Sequence, residues 1–324
     1  MGIPMSVLSK PYFHDEKAAF AELEKIVWPS GPVCPHCGNK GEKPIYDLAK
    51  TRIGLKKCGS CRKQFTVRVG TVFESSHLPL HQWLQAAFLL CSSKKGISAH
   101  QLHRVLSITY KSAWFMAHRL REAMRTGDLA PFGGEGSIVE SDETFFGRDY
   151  TKKPKGTKKG RGYAHKFKVL SLVDRTTGKA RSFKVEAVDG KTIIPIVRKN
   201  IAKESVVMTD DAGHYKHLAA GFAGHEIVRH SKGQYGYGEI HTNTVEGYFS
   251  IFKRGMRGIY QHCSERHLHR YLAEFDFRYT NRAATGFNDR DRADAILSGV
   301  VGKRLTINPL AILVALSFWA WVWG

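Results

Sequence analysis

Two Cys-x2-Cys pairs constrain the N-terminal part of this chain more than any other feature of its sequence. Cys34 and Cys37 form the first pair, Cys58 and Cys61 form the second, and twenty residues separate the two pairs. Cysteines two residues apart can direct both sulfurs to one point, and two such pairs complete a tetrahedron around Zn²⁺. A glycine follows Cys37 and another follows Cys58, which suits tight knuckle turns. The spacing therefore predicts a zinc ribbon with a structural Zn²⁺.

The remaining thiols and the one nearby imidazole are not needed for this site. Four thiolates complete a zinc tetrahedron, so His36 is expected to be a bystander. Cys91 lies on an apolar helix face and Cys263 is isolated, so both are predicted to be buried thiols. In a chain whose first thirty residues show no secretory pattern, six cysteines favour metal binding or free thiols over disulfides.

The charge balance narrows the class of partner. Fifty Lys and Arg residues against 29 Asp and Glu residues give a net charge of +21 and a pI near 9.8. A surplus of this size favours a polyanion, most commonly nucleic acid. A ribosome-associated protein and a binder of anionic membranes are the alternatives. The hydrophobic content of 42% predicts a packed core rather than wholesale disorder.

A helical region is predicted between the ribbon and a later α/β region. A short amphipathic helix precedes the ribbon at 12–27, and short strands are predicted at 45–46, 53–55 and 65–67. Helices follow between 80 and 125, and a tight turn at 107–109 gives the last two the cadence of a helix-turn-helix. The helix after that turn carries several side chains that could contact DNA: Lys111, His118, Arg119 and Arg121. Plain helix packing is the alternative.

From residue 137 the pattern alternates between strands and helices, which predicts a mixed α/β fold. The predicted strands are 137–146, 166–174, 180–188, 205–210 and 225–230. The predicted helices fall near 190–202, 214–222, 243–257 and 264–281.

Three acidic residues occupy unusual positions in this region. Asp142 lies in the middle of an apolar strand, where a charge is costly unless it is paired or bound to metal. Asp210 ends a strand, where α/β sheets place their ligands, although a turn or a helix N-cap also explains an acid there. Glu246 follows on a helix, and Asn243 together with Glu246 could equally form a capping box. Together the three acids would suit two Mg²⁺ ions about 4 Å apart acting on a phosphodiester.

Two basic features accompany these acids. The helix of Glu246 carries Asn243, Ser250 and Lys253 on one polar face, and Arg254 and Arg257 extend its positive charge. A basic loop between the first two predicted strands is either a solvated loop or a contact for the DNA backbone. Its candidate DNA-binding residues are Lys152, Lys153, Lys155, Lys158, Lys159 and Arg161.

Several stretches of the sequence share a pattern with a known family. They are Cys-Pro-His-Cys-Gly at 34–38, the second cysteine pair with Phe65-Thr66 and Gly70-Thr71, Glu-Ser-Asp-Glu-Thr at 140–144, Thr-Asp at 209–210, the run at 241–255, Tyr-Leu-Ala-Glu-Phe at 271–275 and Arg-Tyr-Thr-Asn-Arg at 278–282. Together they resemble bacterial insertion-sequence transposases of the DDE class, in the ISXO-type group that carries a zinc ribbon. The resemblance covers about residues 12–305 and departs from the family pattern in the tail that follows.

The resemblance implies an RNase H-like catalytic fold with Asp142, Asp210 and Glu246 as catalytic residues and ligands of two Mg²⁺ or Mn²⁺ ions. Glu143 and Asp211 stand next to two of these acids, so an assignment displaced by one residue is possible. The resemblance also implies binding of double-stranded DNA, both terminal inverted repeats and target DNA. The reaction needs two DNA ends, so a homodimer or larger assembly is expected. The alternatives are an RNase H-like nuclease that cuts without joining and a catalytically inactive DNA-binding protein.

The expected organisation has four parts and a cytoplasmic, nucleoid-associated location in a bacterium, with no stable membrane association. The parts are an N-terminal helix and zinc ribbon at 1–75, a helical DNA-binding segment at 76–130, an RNase H-like catalytic domain at 131–305 and an apolar tail at 306–324. The uncharged stretch at 310–323 is shorter than the roughly 20 residues that a membrane-spanning helix needs. It either docks on the protein, lies on a membrane or is an extension without a role, and the last is favoured.

Overall fold

The structure is a computed structural model that describes residues 6–127, 130–148, 163, 165–229 and 240–305. The basic-loop residues predicted to bind DNA, which fall within 152–161, lie outside the described residues, as does the apolar tail. Within the described residues, no helix is long and apolar enough to cross a membrane.

The N-terminal part consists of one helix and a small three-stranded antiparallel sheet. Helix α1 (Glu16–Val27) begins where the Asp15 carboxylate accepts a hydrogen bond from the backbone N–H of Ala18, at 2.7 Å. The sheet has the order β1-β2-β3. Its strands are β1 (Ile45–Asp47), β2 (Lys56–Cys58) and β3 (Gln64–Phe65). The strand predicted at 53–55 begins only at Lys56. The backbone N–H of Leu48 donates to the carbonyl of Leu55, and this bond closes the turn before β2.

Three helices follow, α2 (Leu80–Ser92), α3 (Ala99–Leu106) and α4 (Tyr110–Met124). The tight turn predicted between the last two is present, with Ser107 in the left-handed region at φ 52°. The hydroxyl of Thr109 then caps α4 by accepting the backbone N–H of Ser112.

The basic side chains of α4 mostly point inward, which corrects the interpretation of this helix as a DNA-reading surface. His118, Arg119 and Arg121 are all buried, and only Lys111 is exposed. Arg119 donates to the backbone carbonyls of Val72 and Glu74, both at 2.9 Å. The sequence pattern was misleading because a buried arginine that donates to carbonyls has the same spacing as one that contacts DNA.

The five-stranded sheet confirms the predicted mixed α/β fold. Its order is β6-β5-β4-β7-β8, which places β4 at the centre. Strands β4, β5 and β6 pair antiparallel, whereas β4, β7 and β8 pair parallel. The strands are β4 (Ile138–Phe146), β5 (Phe167–Asp174), β6 (Ala180–Val185), β7 (Val206–Asp210) and β8 (Gly224–Val228).

Helices cover both faces of this sheet. Helix α5 (Gly190–Asn200) packs on one face, and α6 (Asn243–Gly255) and α7 (Leu268–Thr280) pack on the other. A π-helical turn, Met256–Tyr260, extends α6. The last helix, α8 (Asp289–Ser298), was not anticipated from the sequence, and it joins the core formed by α1, α2 and α4.

The helix predicted near 214–222 is wrong. Only a single 3-10 turn, Gly213–Tyr215, forms in that segment. Tyr215 and Leu218 are both fully buried in the core between the sheet and α5. Their spacing of three residues imitates a helical period although the backbone between them only turns.

A buried ionic cluster joins the helical region to the α/β region. Glu274 on α7 is fully buried and lies 2.6 Å from Arg121 on α4 and 3.0 Å from Arg278. The Tyr260 hydroxyl also donates to Glu274, and the Arg121 guanidinium lies over the Tyr260 and Tyr271 rings. Together these contacts hold α4 against α7.

Glu274→Gln is expected to destabilise the fold strongly, because it removes the negative charge between two buried guanidinium groups. Breaking a buried ion pair by changing one partner costs about 3–5 kcal/mol. Chemical denaturation should show this loss in the free energy of unfolding. Glu226→Gln on β8, where the side chain is exposed, is the matched control. A loss of under about 0.5 kcal/mol for Glu274→Gln, the range of ordinary surface changes, would contradict the role of the cluster.

Candidate zinc centre and active site

The four cysteines of the ribbon meet at one point. Their sulfurs all lie within 4.8 Å of one another, with Cys34 3.6 Å from Cys61 and Cys37 3.7 Å from Cys58. A tetrahedron of Zn–S bonds of about 2.3 Å has edges of about 3.8 Å, so this arrangement fits Zn²⁺. Cys58 is the last residue of strand β2.

Two hydrogen-bond donors lie at the sulfur of Cys58. The backbone N–H of Cys61 donates to its sulfur, and together with the Asn39 side chain at 3.5 Å it lowers the pKa of Cys58 to about 6. Of the two other cysteines, Cys91 is buried as expected, whereas Cys263 is only half-buried and its thiol bonds the Ser264 carbonyl.

Cys58→Ser is expected to release the zinc, because it removes one of the four thiolate ligands and the serine hydroxyl does not replace it. The metal content of purified protein, measured by mass spectrometry, should fall from about one Zn²⁺ per chain to near zero. The control Cys263→Ser should keep the metal. Equal zinc content in the two variants would contradict the assignment.

The acidic residues of β4 point to opposite faces of the sheet, as strand alternation requires. Asp142 shares its face with Phe146, which packs in the core beneath α6 and α7. Glu143 shares its face with Val139, which packs in the core beneath α5. Of these two neighbours, Asp142 therefore faces helix α6.

Asp210 lies beside Asp142 on the neighbouring parallel strand. The register pairs Glu140 with Met208, and continuing it by two residues brings Asp142 level with Asp210. Residues level with each other on parallel strands face the same side of the sheet. The Asp210 carboxylate accepts the backbone N–H of Ala212 at 3.1 Å, so it also closes the turn that follows. Asp211, the next residue, is exposed.

Glu246 lies in the first turns of α6 and is not held by the capping box that its sequence suggested. The N-cap is Thr242 rather than Asn243, and no side chain of the N-cap bonds the helix amides. The Thr242 hydroxyl donates instead to the Glu246 carboxylate, at 3.2 Å. Glu246 is exposed, and its carboxylate accepts a hydrogen bond from the residue before the helix. It does not cap the free amides of the helix.

The electrostatics show that these acids act on one another. Burial, together with the neighbouring charges of Glu143, Asp210 and Glu246, raises the pKa of Asp142 to about 8. Burial also raises the pKa of Asp210. Neighbouring carboxylates repel one another when ionised, and a bound divalent cation offsets this repulsion. Carboxylate oxygens are also ligands that Mg²⁺ prefers. The residues present thus fit such an ion in their chemistry.

The carboxylates are spaced more widely than the sulfurs of the ribbon. Across the described ranges, the four cysteines are the one group of three or more Cys, His, Asp or Glu side chains whose ligand atoms all lie within 4.8 Å.

The basic stripe of α6 faces outward beside these acids. Asn243, Arg254 and Arg257 are exposed, and Lys253 is half-buried. Burial and the charge of Arg257 lower the pKa of Lys253, and Asp142 acts in the opposite direction. The opposite face of α6 is buried as predicted: Val245, Phe249, Phe252 and Met256.

Two groups of residues near the acids were not identified from the sequence. Glu143 accepts the Tyr215 hydroxyl at 2.5 Å and lies 3.2 Å from His214, and this hydrogen bond raises the pKa of His214. Glu140 joins Arg175 and the start of α6. The sequence did contain one signal for these contacts, the three acids within Glu-Ser-Asp-Glu at 140–143. A central strand is covered on both faces, so each acid on it needs a partner.

These observations define a class before any comparison: an α/β domain of RNase H-like strand order, preceded by a zinc ribbon. The ISXO2-like transposase domain matches residues 134–280, and the transposase zinc-ribbon domain matches residues 14–64. These two matches are consistent with an ISXO-type DDE transposase that carries an N-terminal zinc ribbon.

Two individual proteins illustrate the range of similarity. An uncharacterized protein in transposable element ISH50 of Halobacterium salinarum is 29% identical over 280 residues, which span 82% of this chain and 91% of that protein. A chain in the cryo-EM structure of the simian T-cell lymphotropic virus intasome with PP2A regulatory subunit B56 gamma is 14% identical. It has a TM-score of 0.28, over 60% of this chain and 65% of that one.

Proposed function

We propose that the protein binds the ends of an insertion sequence, cuts one DNA strand there and joins the freed 3′ hydroxyl to target DNA. The observation that carries the proposal is the placement of Asp142 and Asp210 level on adjacent strands, on the side of the sheet that α6 covers. The influence of Asp210 and Glu246 on the pKa of Asp142 brings the third acid into the same group.

Asp142, Asp210 and Glu246 would hold the divalent ions. Two Mg²⁺ or Mn²⁺ ions, when bound, activate the attacking oxygen and stabilise the leaving oxygen of a phosphodiester. The strands hold two of the carboxylates rigidly, while the Thr242 hydroxyl orients the third. The acids bind metal and form no covalent bond to DNA.

The outward basic stripe would guide DNA to these acids. Lys253 lies seven residues after Glu246, so the two occupy the same side of α6 two turns apart. Its ammonium and the Arg254 and Arg257 guanidinium groups suit contacts with phosphates. Asn243 extends the same proposed DNA surface, and we propose the residues of the basic loop at 148–161 as further contacts for the DNA backbone.

The partners follow from the reaction. Joining two ends of an element to a target requires two active sites on double-stranded DNA, so we propose a homodimer or larger assembly. We propose that the zinc ribbon binds the terminal repeats, together with the exposed Lys111 at the start of α4. This activity belongs in the cytoplasm, at the nucleoid.

Asp142→Asn is expected to abolish cutting and joining while leaving DNA binding intact, because it removes a metal-binding charge and no DNA contact. The rate should fall by more than about 100-fold, the upper end of what altering an outer partner of a metal ligand costs. The assay combines purified protein, labelled terminal-repeat DNA, a target plasmid and Mg²⁺. Asp211, the exposed residue next to Asp210, provides the matched control, and Asp211→Asn should retain activity.

The products of this assay separate the competing functions. Joined products from the wild type support transposition, whereas cleavage without joining identifies a nuclease. If the wild type and Asp142→Asn bind DNA equally and neither cuts, the catalytic proposal fails and the chain is a DNA-binding protein.

The double variant Lys253→Gln with Arg257→Gln is expected to reduce the salt dependence of DNA binding. Each lost phosphate contact lowers the slope of log K against log salt by about 0.9, so the slope should fall by about 2. Fluorescence anisotropy at several salt concentrations measures this. The control changes Lys191 and Lys199, which are exposed on α5 across the sheet. An equal change of slope in both double variants would mean that α6 has no special role.

A further inference from the structure

We infer that Glu140 is a positioning residue: from strand β4 it caps helix α6, and so sets where Glu246 stands relative to Asp142. The effect on metal binding rests on the proposed function, whereas the geometry rests on the contacts of the described residues.

Helix α6 begins without a cap of its own. The first N–H groups of any helix have no partner within the helix, and a side chain of the N-cap residue commonly satisfies one of them. Here the Thr242 hydroxyl is directed to Glu246 instead. The buried N–H of Val245 in the first turn therefore needs an acceptor from elsewhere in the fold.

Glu140 supplies that acceptor from the sheet. Its carboxylate is fully buried and accepts the backbone N–H of Val245 at 2.7 Å, a contact between residues 105 positions apart in the sequence. A carboxylate at this end of the helix also interacts favourably with the helix dipole. Glu140 therefore does from a neighbouring strand what an N-cap side chain does locally.

Arg175 makes this buried charge tolerable and ties the segment before α6 to the same point. Its Nε donates to the other oxygen of Glu140, and its Nη2 donates to the backbone carbonyl of His241. The His241 ring lies 3.5 Å from Glu140 as well. Burying a carboxylate is costly unless it is paired and hydrogen-bonded, and here both conditions are met.

The geometry connects this clamp directly to the active-site acids. Glu140 and Asp142 are two residues apart on one face of β4, a separation of about 7 Å along the strand. Val245, which Glu140 holds, immediately precedes Glu246. One short segment of β4 thus carries both a candidate metal ligand and the group that fixes the start of the helix bearing another.

Apolar packing could not provide this precision. Val245, Phe249 and Phe252 bury the inner face of α6, but apolar contact is non-directional and tolerates small sliding along the helix axis. A hydrogen bond to one chosen amide is directional, so it fixes the rise and rotation of the first turn. Groups that orient metal ligands in this way affect metal affinity although they do not touch the ion.

The test measures metal binding and helix protection separately from catalysis. Mn²⁺ alone is titrated into the full-length protein by calorimetry, and hydrogen exchange is followed in peptides that contain residues 243–246. Glu140→Ala is expected to weaken Mn²⁺ binding by about 10- to 100-fold and to speed exchange at the start of α6. Glu140→Gln keeps an acceptor oxygen for Val245, so its effects should be smaller than those of Glu140→Ala.

The controls decide between positioning and plain stability. Glu226→Gln, exposed on β8, should match the wild type in both measurements. If Glu140→Ala lowers the melting temperature but leaves Mn²⁺ affinity within twofold of the wild type well below that temperature, the inference is overturned. If Glu140→Ala does not fold, Glu140→Gln and Arg175→Lys take its place, and wild-type values of affinity and exchange in both overturn it.

Asp142→Asn separates this inference from the proposed function. If Asp142→Asn abolishes Mn²⁺ binding while Glu140→Ala leaves it unchanged, the positioning role fails and the metal site stands. If Asp142→Asn itself binds Mn²⁺ like the wild type, the proposed metal site fails and Glu140 keeps at most a structural part.

Discussion

Strand β4 lies in the middle of the sheet, so each acidic side chain that it carries loses water when the protein folds. The structure treats the three acids differently. Glu140 gains an arginine and a helix amide, and Glu143 gains a tyrosine hydroxyl and a histidine. Asp142 accepts one backbone N–H, from Glu143, and its burial together with the charges of the neighbouring acids raises its pKa to about 8. The electrostatic cost of the strand is thus concentrated at one carboxylate, where a divalent cation would lower it.

A buried ion pair and a shared core link the parts of the chain. The Arg121–Glu274 pair holds α4 against α7, and α7 packs beside α6 beneath the sheet. The core that contains α1, α2 and α4 is completed by α8, from the far end of the chain. These contacts hold the helical region against the α/β region. In the proposed reaction, DNA held by that region would keep a set position relative to the acids.

Some features were predictable because their signal is local. The zinc ribbon follows from cysteine spacing, and the two faces of α6 follow from helical periodicity, with Val245 and Phe252 buried and Asn243 exposed. Other predictions failed where a tertiary contact produced the same pattern. Tyr215 and Leu218 are spaced like a helix but anchor a turn, and Arg119 resembles a DNA-binding residue but donates to carbonyls inside the protein.

Spacing and periodicity depend only on near neighbours, so the ribbon, the alternation of strands and helices and the three candidate acids could be predicted from the sequence. The tertiary structure shows that Asp142 rather than Glu143 faces α6, since strand alternation places the two on different faces but does not say which face the helix covers. It also decided that Glu246 is not part of a capping box. The acceptor for the α6 amide comes from Glu140, 105 residues away in the sequence, and no local pattern encodes a hydrogen bond between segments that meet only when the chain folds.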